Sequence, residues 1–158
     1  LEFLSREAGN VTSADMHPVC TKFMSKLKHD LGIENEWSIV RHEARGFLDL
    51  VNQKYDLIFS YVLTLEELNE RVWDTINHDR LNPEGYLYIA YPKIGNKTYD
   101  TSVHRDAIFP SLGVDDGNGY VGDSTLKFAR MVKLDDTFTL VGMKNAVKSK
   151  DHKTKNLY

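Results

Sequence analysis

Six polar residues gathered near three predicted element ends carry side chains suited to binding a small charged ligand: Ser60 and Tyr61, Tyr91 and Lys93, and His104 and Arg105. The first pair closes one apolar run and the second pair closes another. If those runs are neighbouring parallel strands, all four side chains fall on the same edge of a sheet, outside the carboxyl ends of the strands, where α/β folds keep their ligands. Thr101 to Asp106 opens a helix from that edge, and free backbone amides together with the helix dipole favour an anion there. Lys93, His104 and Arg105 are then placed to meet a phosphate or a carboxylate, with His104 available as acid or base. The same residues have plainer uses. Arg105 can pair with Asp106 or another acid, His104 can be a surface residue, and Lys93 a solvated strand terminus.

Other chemistries fail on spacing. His42-Glu-Ala-Arg-Gly46 begins like a zinc-protease motif, but glycine stands where the second histidine must ligate. Asp115 to Asp123 is acidic and rich in glycine, yet Leu126 and Lys127 fall where a calcium loop needs its bidentate glutamate. His104-Arg105-Asp106 copies the kinase catalytic-loop triplet, but Ser111 occupies the asparagine position and no glycine-rich loop accompanies it. Lys127-Phe-Ala-Arg-Met-Val132 is basic and strand-like without the spaced aromatics of an RNA-binding strand. No metal, cofactor or nucleic-acid partner is expected. A small anionic ligand or a protein partner is.

The elements that must position these residues are clearest between Lys54 and Lys93. Asp56 to Leu63 is apolar almost throughout, Thr64 and Glu67 form a capping box, and Leu65, Leu68, Val72 and Ile76 make one stripe at helical spacing. Asn82-Pro83-Glu84-Gly85 then predicts a turn into a second apolar run, Tyr86 to Tyr91. Runs without polar alternation suit strands covered on both faces, and a helical crossover between them makes them parallel.

On the amino-terminal side, Thr12 and Asp15 are candidate caps for a helix started by Pro18, with Val19, Phe23, Leu27 and Leu31 on one face and Gly32 ending it. Trp37 to Val40 reads as a short strand and Gly46 to Val51 as a short helical connection. After the central unit, Asp100-Thr-Ser predicts a helix through Phe109 that Pro110 stops. Val114 to Tyr120 has loop composition. Lys127 to Leu134 and Thr137 to Met143 read as a hairpin joined at Asp135-Asp136. The expected fold is a three-layer, Rossmann-like, mainly parallel sheet with a carboxyl-terminal antiparallel hairpin, in which the strands at 37–40, 56–63 and 86–91 share one sheet.

With 158 residues, 41% of them hydrophobic, the chain suffices for one sizeable core, so residues 1–143 are expected to form a single α/β domain. No apolar run approaches the roughly 20 residues of a membrane span, and the start lacks the apolar core of a signal peptide. The lone Cys20 forms no intrachain disulfide, suits a reducing cytoplasm, and is expected to be buried on its helix. Five lysines against Asp151 put residues 144–158 at +4 and leave −7 on residues 1–143, for a net of −3. A basic polar tail of this kind reads as a mobile terminus.

Tyr55-Asp-Leu-Ile-Phe-Ser-Tyr-Val62, a helix, then Leu81-Asn-Pro-Glu-Gly-Tyr-Leu-Tyr-Ile-Ala-Tyr-Pro-Lys93 and a hairpin ending in Phe138-Thr-Leu-Val-Gly-Met-Lys-Asn145 resemble the second half of a Rossmann-like methyltransferase, from its fourth strand to its end. More narrowly, Tyr91-Pro-Lys93, His104-Arg-Asp106 and Lys127 to Lys144 resemble a group of small uncharacterised bacterial proteins with the same half-fold, over roughly residues 37–144. The resemblance implies a cofactor cleft at the strand ends, with Ser60 and Tyr61 where the fourth strand releases its chain. The methyltransferase pattern opens with a strand and a glycine-rich turn that lets the backbone approach S-adenosylmethionine, followed by an acidic residue at the end of the next strand. Neither is found in the first 36 residues, whose only glycines are Gly9 and Gly32. The leading expectation is therefore a non-catalytic Rossmann-like module that acts by protein contact or small-ligand binding. An enzyme on an anionic metabolite and a degenerate methyltransferase are the alternatives.

Overall fold

The computed structural model describes residues 9–42, 46 and 52–146. Two compact units divide the chain, residues 1–53 and 54–158. The first contains strand β1 (Val11–Ala14), helix α1 (Pro18–Asp30) and strand β2 (Trp37–Val40). β1 and β2 form a two-stranded parallel sheet with Val11 opposite Trp37 and Ala14 opposite Val40. The Trp37 ring is buried, and its indole N–H donates to Ser13 Oγ at 2.9 Å.

Several expectations for this unit are corrected. Thr12 sits inside β1 instead of capping a helix, because four residues of mixed polarity pair with β2 along their whole length. Asp15 caps nothing on α1: its Oδ1 accepts the His17 N–H at 2.7 Å, and His17 is the N-cap. Val19, Phe23 and Leu31 face outward at 66, 65 and 52% exposure while Thr21 is buried, so the apolar stripe is not the buried face. Cys20 is exposed for the same reason. Gly32 does end the helix, at φ 67°. The predicted connection at 46–51 lies outside the described residues except for Gly46.

In the second unit, strand β3 (Tyr55–Tyr61), helix α2 (Leu65–Asn77) and strand β4 (Leu81–Pro92) form the expected parallel crossover. Thr64 Oγ1 accepts the Glu67 N–H at 3.1 Å, as the capping box requires, while Glu67 Oε2 accepts the N–H of Leu63, one residue before the cap, at 2.7 Å. Helix α3 (Arg105–Leu112) and strands β5 (Leu126–Lys133) and β6 (Phe138–Asn145) follow. The sheet order is β3-β4-β6-β5, with β6 antiparallel to both β4 and β5. This Rossmann-like α/β sheet is mixed rather than mainly parallel, and β2 pairs with β1 in the other unit's sheet, not with β3.

Two breakers act differently from expectation. Asn82 to Gly85 is a bulge inside β4, not a turn before it, since Tyr55 pairs with Leu81 while Leu57 pairs with Tyr86. Only glycine fits its end: a Cβ at Gly85 would lie 2.9 Å from the Asn82 carbonyl oxygen. Pro110 lies within α3 instead of stopping it, and the helix runs on to a left-handed cap at Gly113, φ 61°. Leu68 and Val72 from α2, Ile108 and Leu112 from α3, and Leu87, Ile89, Tyr91, Val141 and Met143 from the sheet share one core. Both helices thus cover the same sheet face. Leu57 and Ile58 on β3 are half-buried. Residues 147–158, most of the predicted tail, lie outside the described residues.

Candidate functional site

The site begins where β4 ends. Lys93 N–H donates to the Thr137 carbonyl at 2.9 Å, which ties the end of β4 to the loop before β6. The chain then loops out and returns, so that Val103 bridges Lys93 in parallel and its N–H donates to the Pro92 carbonyl at 2.8 Å. Asn96 holds this excursion together: its Nδ2 donates to the carbonyls of Lys93 and Thr101 at 2.9 and 3.1 Å, and its Oδ1 accepts the N–H groups of Thr98 and Tyr99. A loop closed by one asparagine delivers His104 and Arg105 beside Lys93.

His104 is the N-cap of α3. Its Nδ1 accepts the Asp106 N–H at 3.2 Å, which in the neutral ring leaves the proton on Nε2 as an outward donor. Arg105 is the first helical residue, and its guanidinium lies 3.9 Å from the Asp106 carboxylate, a loose and exposed pairing.

Across the sheet, Tyr91 pairs with Thr139 on β6, and Thr139 pairs with Lys133 on β5. Residues paired across a sheet share a face, so these three side chains form one row. Tyr91 is almost wholly buried with its hydroxyl 3.3 Å from Met131 Sδ. Burial raises the Tyr91 phenol pKa, and the nearby Arg105 charge and a hydrogen bond with Thr139 partly offset that rise. The Asp136 carboxyl is held below its ordinary value by its hydrogen bond from Lys133, then by the Lys133 charge and by that of Lys93. Two lysines and an arginine therefore act electrostatically on one small region.

Tyr91, Lys93, His104 and Arg105 line one open cavity of about 500 Å³, together with Met131, Lys133 and Thr139 from the hairpin. Ser60 and Tyr61 do not line it. Ser60 Oγ turns to its neighbour's carbonyl, and Tyr61 projects from the other face of the sheet, where its ring meets Phe59 and Phe138 edge-on at 5.1 Å. Strand alternation separates Tyr61 from Tyr91: Tyr61 is opposite Ala90, one residue out of phase with Tyr91. Lys133 and Thr139 were not legible as site residues, because their place depends on β6 lying beside β4. Among the described residues no group of three or more histidine, cysteine or acidic side chains is arranged to hold a metal, and no helix is long and apolar enough to cross a membrane.

No protein-family model matches the chain, and no curated protein matches it significantly. Solved structures do. A Haemophilus influenzae protein assigned as a methylase superposes with a TM-score of 0.64 at 14% identity, over 92% of this chain and 78% of that one. An Escherichia coli protein assigned as a methyltransferase gives 0.62 at 15% identity, over 92 and 68%. A Streptococcus mutans protein so assigned, in complex with S-adenosylhomocysteine (SAH), gives 0.56 at 14% identity, over 90 and 80%. At these identities the likeness shows the fold, which is methyltransferase-like.

That fold raises the question of S-adenosylmethionine, and the turn from β1 into α1 answers it for the residues present. Three of its backbone donors are engaged: the Asp15 N–H donates to the Val40 carbonyl at 3.1 Å, Asp15 Oδ1 takes the His17 N–H and His17 Nδ1 takes the Val19 N–H at 3.3 Å, while Pro18 has none to give. No residue from Asp15 to Pro18 has the positive φ at which glycine is used. A strand and helix flank the turn as the fold requires, but the turn itself does not fit the cofactor in the glycine-turn manner.

Proposed function

We propose that this chain is a degenerate methyltransferase: it keeps the fold and a ligand site on residues 54–158, read as the second half of that fold, but not the cofactor turn. In this reading it binds a small anionic molecule at the carboxyl end of β4. The observation that carries the reading is the convergence of Lys93, Arg105 and Lys133 with His104 on one cavity, against Asp106 alone among its lining acids. Charge-assisted hydrogen bonds contribute about 1.5–3 kcal/mol each, enough for a modest affinity from two or three of them. Bacterial sources of the similar structures and the lone Cys20 support a bacterial cytoplasmic protein.

The test is thermal stability in low salt with small carboxylates and phosphates, their neutral analogues, and SAH. A ligand of the native state raises the melting temperature by mass action. Anions are expected to stabilise the protein, neutral analogues and SAH to leave it unchanged, and Arg105→Ala to remove the anion effect by about tenfold or more in affinity. A working methyltransferase is the second reading, favoured by the SAH complex within the same fold. Saturable SAH binding would select it over the first.

A further inference from the structure

We infer that the cavity at the end of β4 is built for a phosphate monoester with an apolar body, and that Lys133 and Thr139 on the hairpin are what set it apart from a carboxylate site. This inference rests on the anion-binding reading above and specifies its ligand.

Its basis is the direction from which donors arrive. Lys93 comes from the end of β4, His104 and Arg105 from the start of α3, and Lys133 with Thr139 from the hairpin across the sheet. Three separate elements thus supply donors to one volume. A carboxylate is planar and presents two oxygens in one plane, which a single bidentate partner satisfies. A phosphate monoester presents three oxygens in a tetrahedral fan and up to two negative charges, so it is the oxyanion that uses donors from three sides at once. The acids nearby leave this capacity open. Asp106 pairs only loosely with Arg105, at 3.9 Å, and Asp136 holds Lys133 at 2.9 Å from a side chain almost fully exposed to water, a pairing that a dianion can displace. Lys93 forms no ion pair within 4 Å among the described residues. Met131, Val103 and Ile94 also line it and give an apolar wall for the remainder of the ligand.

The experiment compares phenyl phosphate, benzoate and inorganic phosphate by calorimetric titration of the full chain in low salt at pH 8, where the phosphate ester is a dianion. The three probes separate shape, charge and apolar body. Phenyl phosphate is expected to bind about tenfold or more tightly than benzoate, a difference of about one good hydrogen bond, with inorganic phosphate between them. Lys133→Ala, on an exposed side chain whose loss leaves the fold intact, should weaken phenyl phosphate about tenfold and benzoate by less than about twofold. Thr139→Val should act in the same direction with a smaller change. Benzoate binding as tightly as phenyl phosphate, or Lys133→Ala affecting both equally or neither, overturns the phosphate assignment while leaving an anion site. Failure of all three probes to bind removes the anion-binding reading itself.

Discussion

His17 and His104 do the same local job in two different settings. Each precedes a helix, with φ/ψ of −76°/119° and −77°/120°, and each accepts, through Nδ1, the N–H two residues on, at 3.3 and 3.2 Å. What surrounds them differs. Before α1 the cap is flanked by Asp15 and followed by Pro18, so the turn offers an acid and few backbone donors. Before α3 the cap stands among Lys93, Arg105 and Lys133 over a cavity. The helices behind them differ as well: α3 buries Ile108 and Leu112, whereas α1 buries Thr21 and leaves Val19 and Phe23 largely exposed. A capped helix start is a local device, and its neighbours decide whether it borders a basic cavity.

The largest test of this contrast concerns burial. Leu68→Ala on α2 empties part of the shared core and should cost about 2–5 kcal/mol in chemical denaturation. Phe23→Ala on α1 should cost under about 1 kcal/mol, because its side chain is 65% exposed. A large loss at Phe23 would show that α1's outward face is covered in solution. We further expect thermal unfolding in one transition, as a single domain over residues 1–143 requires; two transitions would give each unit its own stability.

The caps come next. His17→Ala and His104→Ala should each cost about 1 kcal/mol, since each leaves a helix-start N–H without its acceptor. His104→Ser sharpens the comparison. Serine keeps an acceptor for the Asp106 N–H but removes the Nε2 donor, so helix stability should largely return while anion affinity stays reduced. Equal affinity in the wild type and His104→Ser would take His104 out of the ligand site.

The smallest effect is electrostatic and sits on Tyr91. Burial raises its phenol pKa above the ordinary value of a tyrosine, so the folded state holds the phenolic proton more firmly than the unfolded chain does. The corresponding stability is fully present below the unfolded pKa and is lost as pH rises through the folded one. Tyr91→Phe keeps most of the buried ring and should therefore flatten the alkaline loss of stability above about pH 10, at a modest cost near neutrality. An unchanged alkaline slope would show that Tyr91 does not titrate against the fold; Tyr55, raised by burial as well, would then be the residue to replace.

The central crossover was legible because its signals are local. The Thr64–Glu67 box, the Leu68–Val72 stripe and the short hairpin loop after Lys133 each act within a few residues, where chain connectivity already brings the partners together. The same holds for Lys93, His104 and Arg105, which meet because one loop closes on Asn96. Non-local pairing decided the rest. β1 is four residues of mixed polarity that become a strand only beside β2, and Asn82 to Gly85 has turn composition but is carried inside β4 as a bulge by pairing on either side. Nothing within Lys127 to Asn145 states that β6 will lie between β4 and β5, yet that order alone puts Lys133 and Thr139 in the cavity. Periodicity marks the apolar side of an element but not what will cover it: Val19, Phe23 and Leu31 share a face of α1 that the fold leaves exposed. Hydrogen bonds between near neighbours cost little chain entropy and can be read from composition and spacing; the choice of a sheet neighbour depends on closing a long loop and on which distant side chains are buried, and only the folded chain settles that balance.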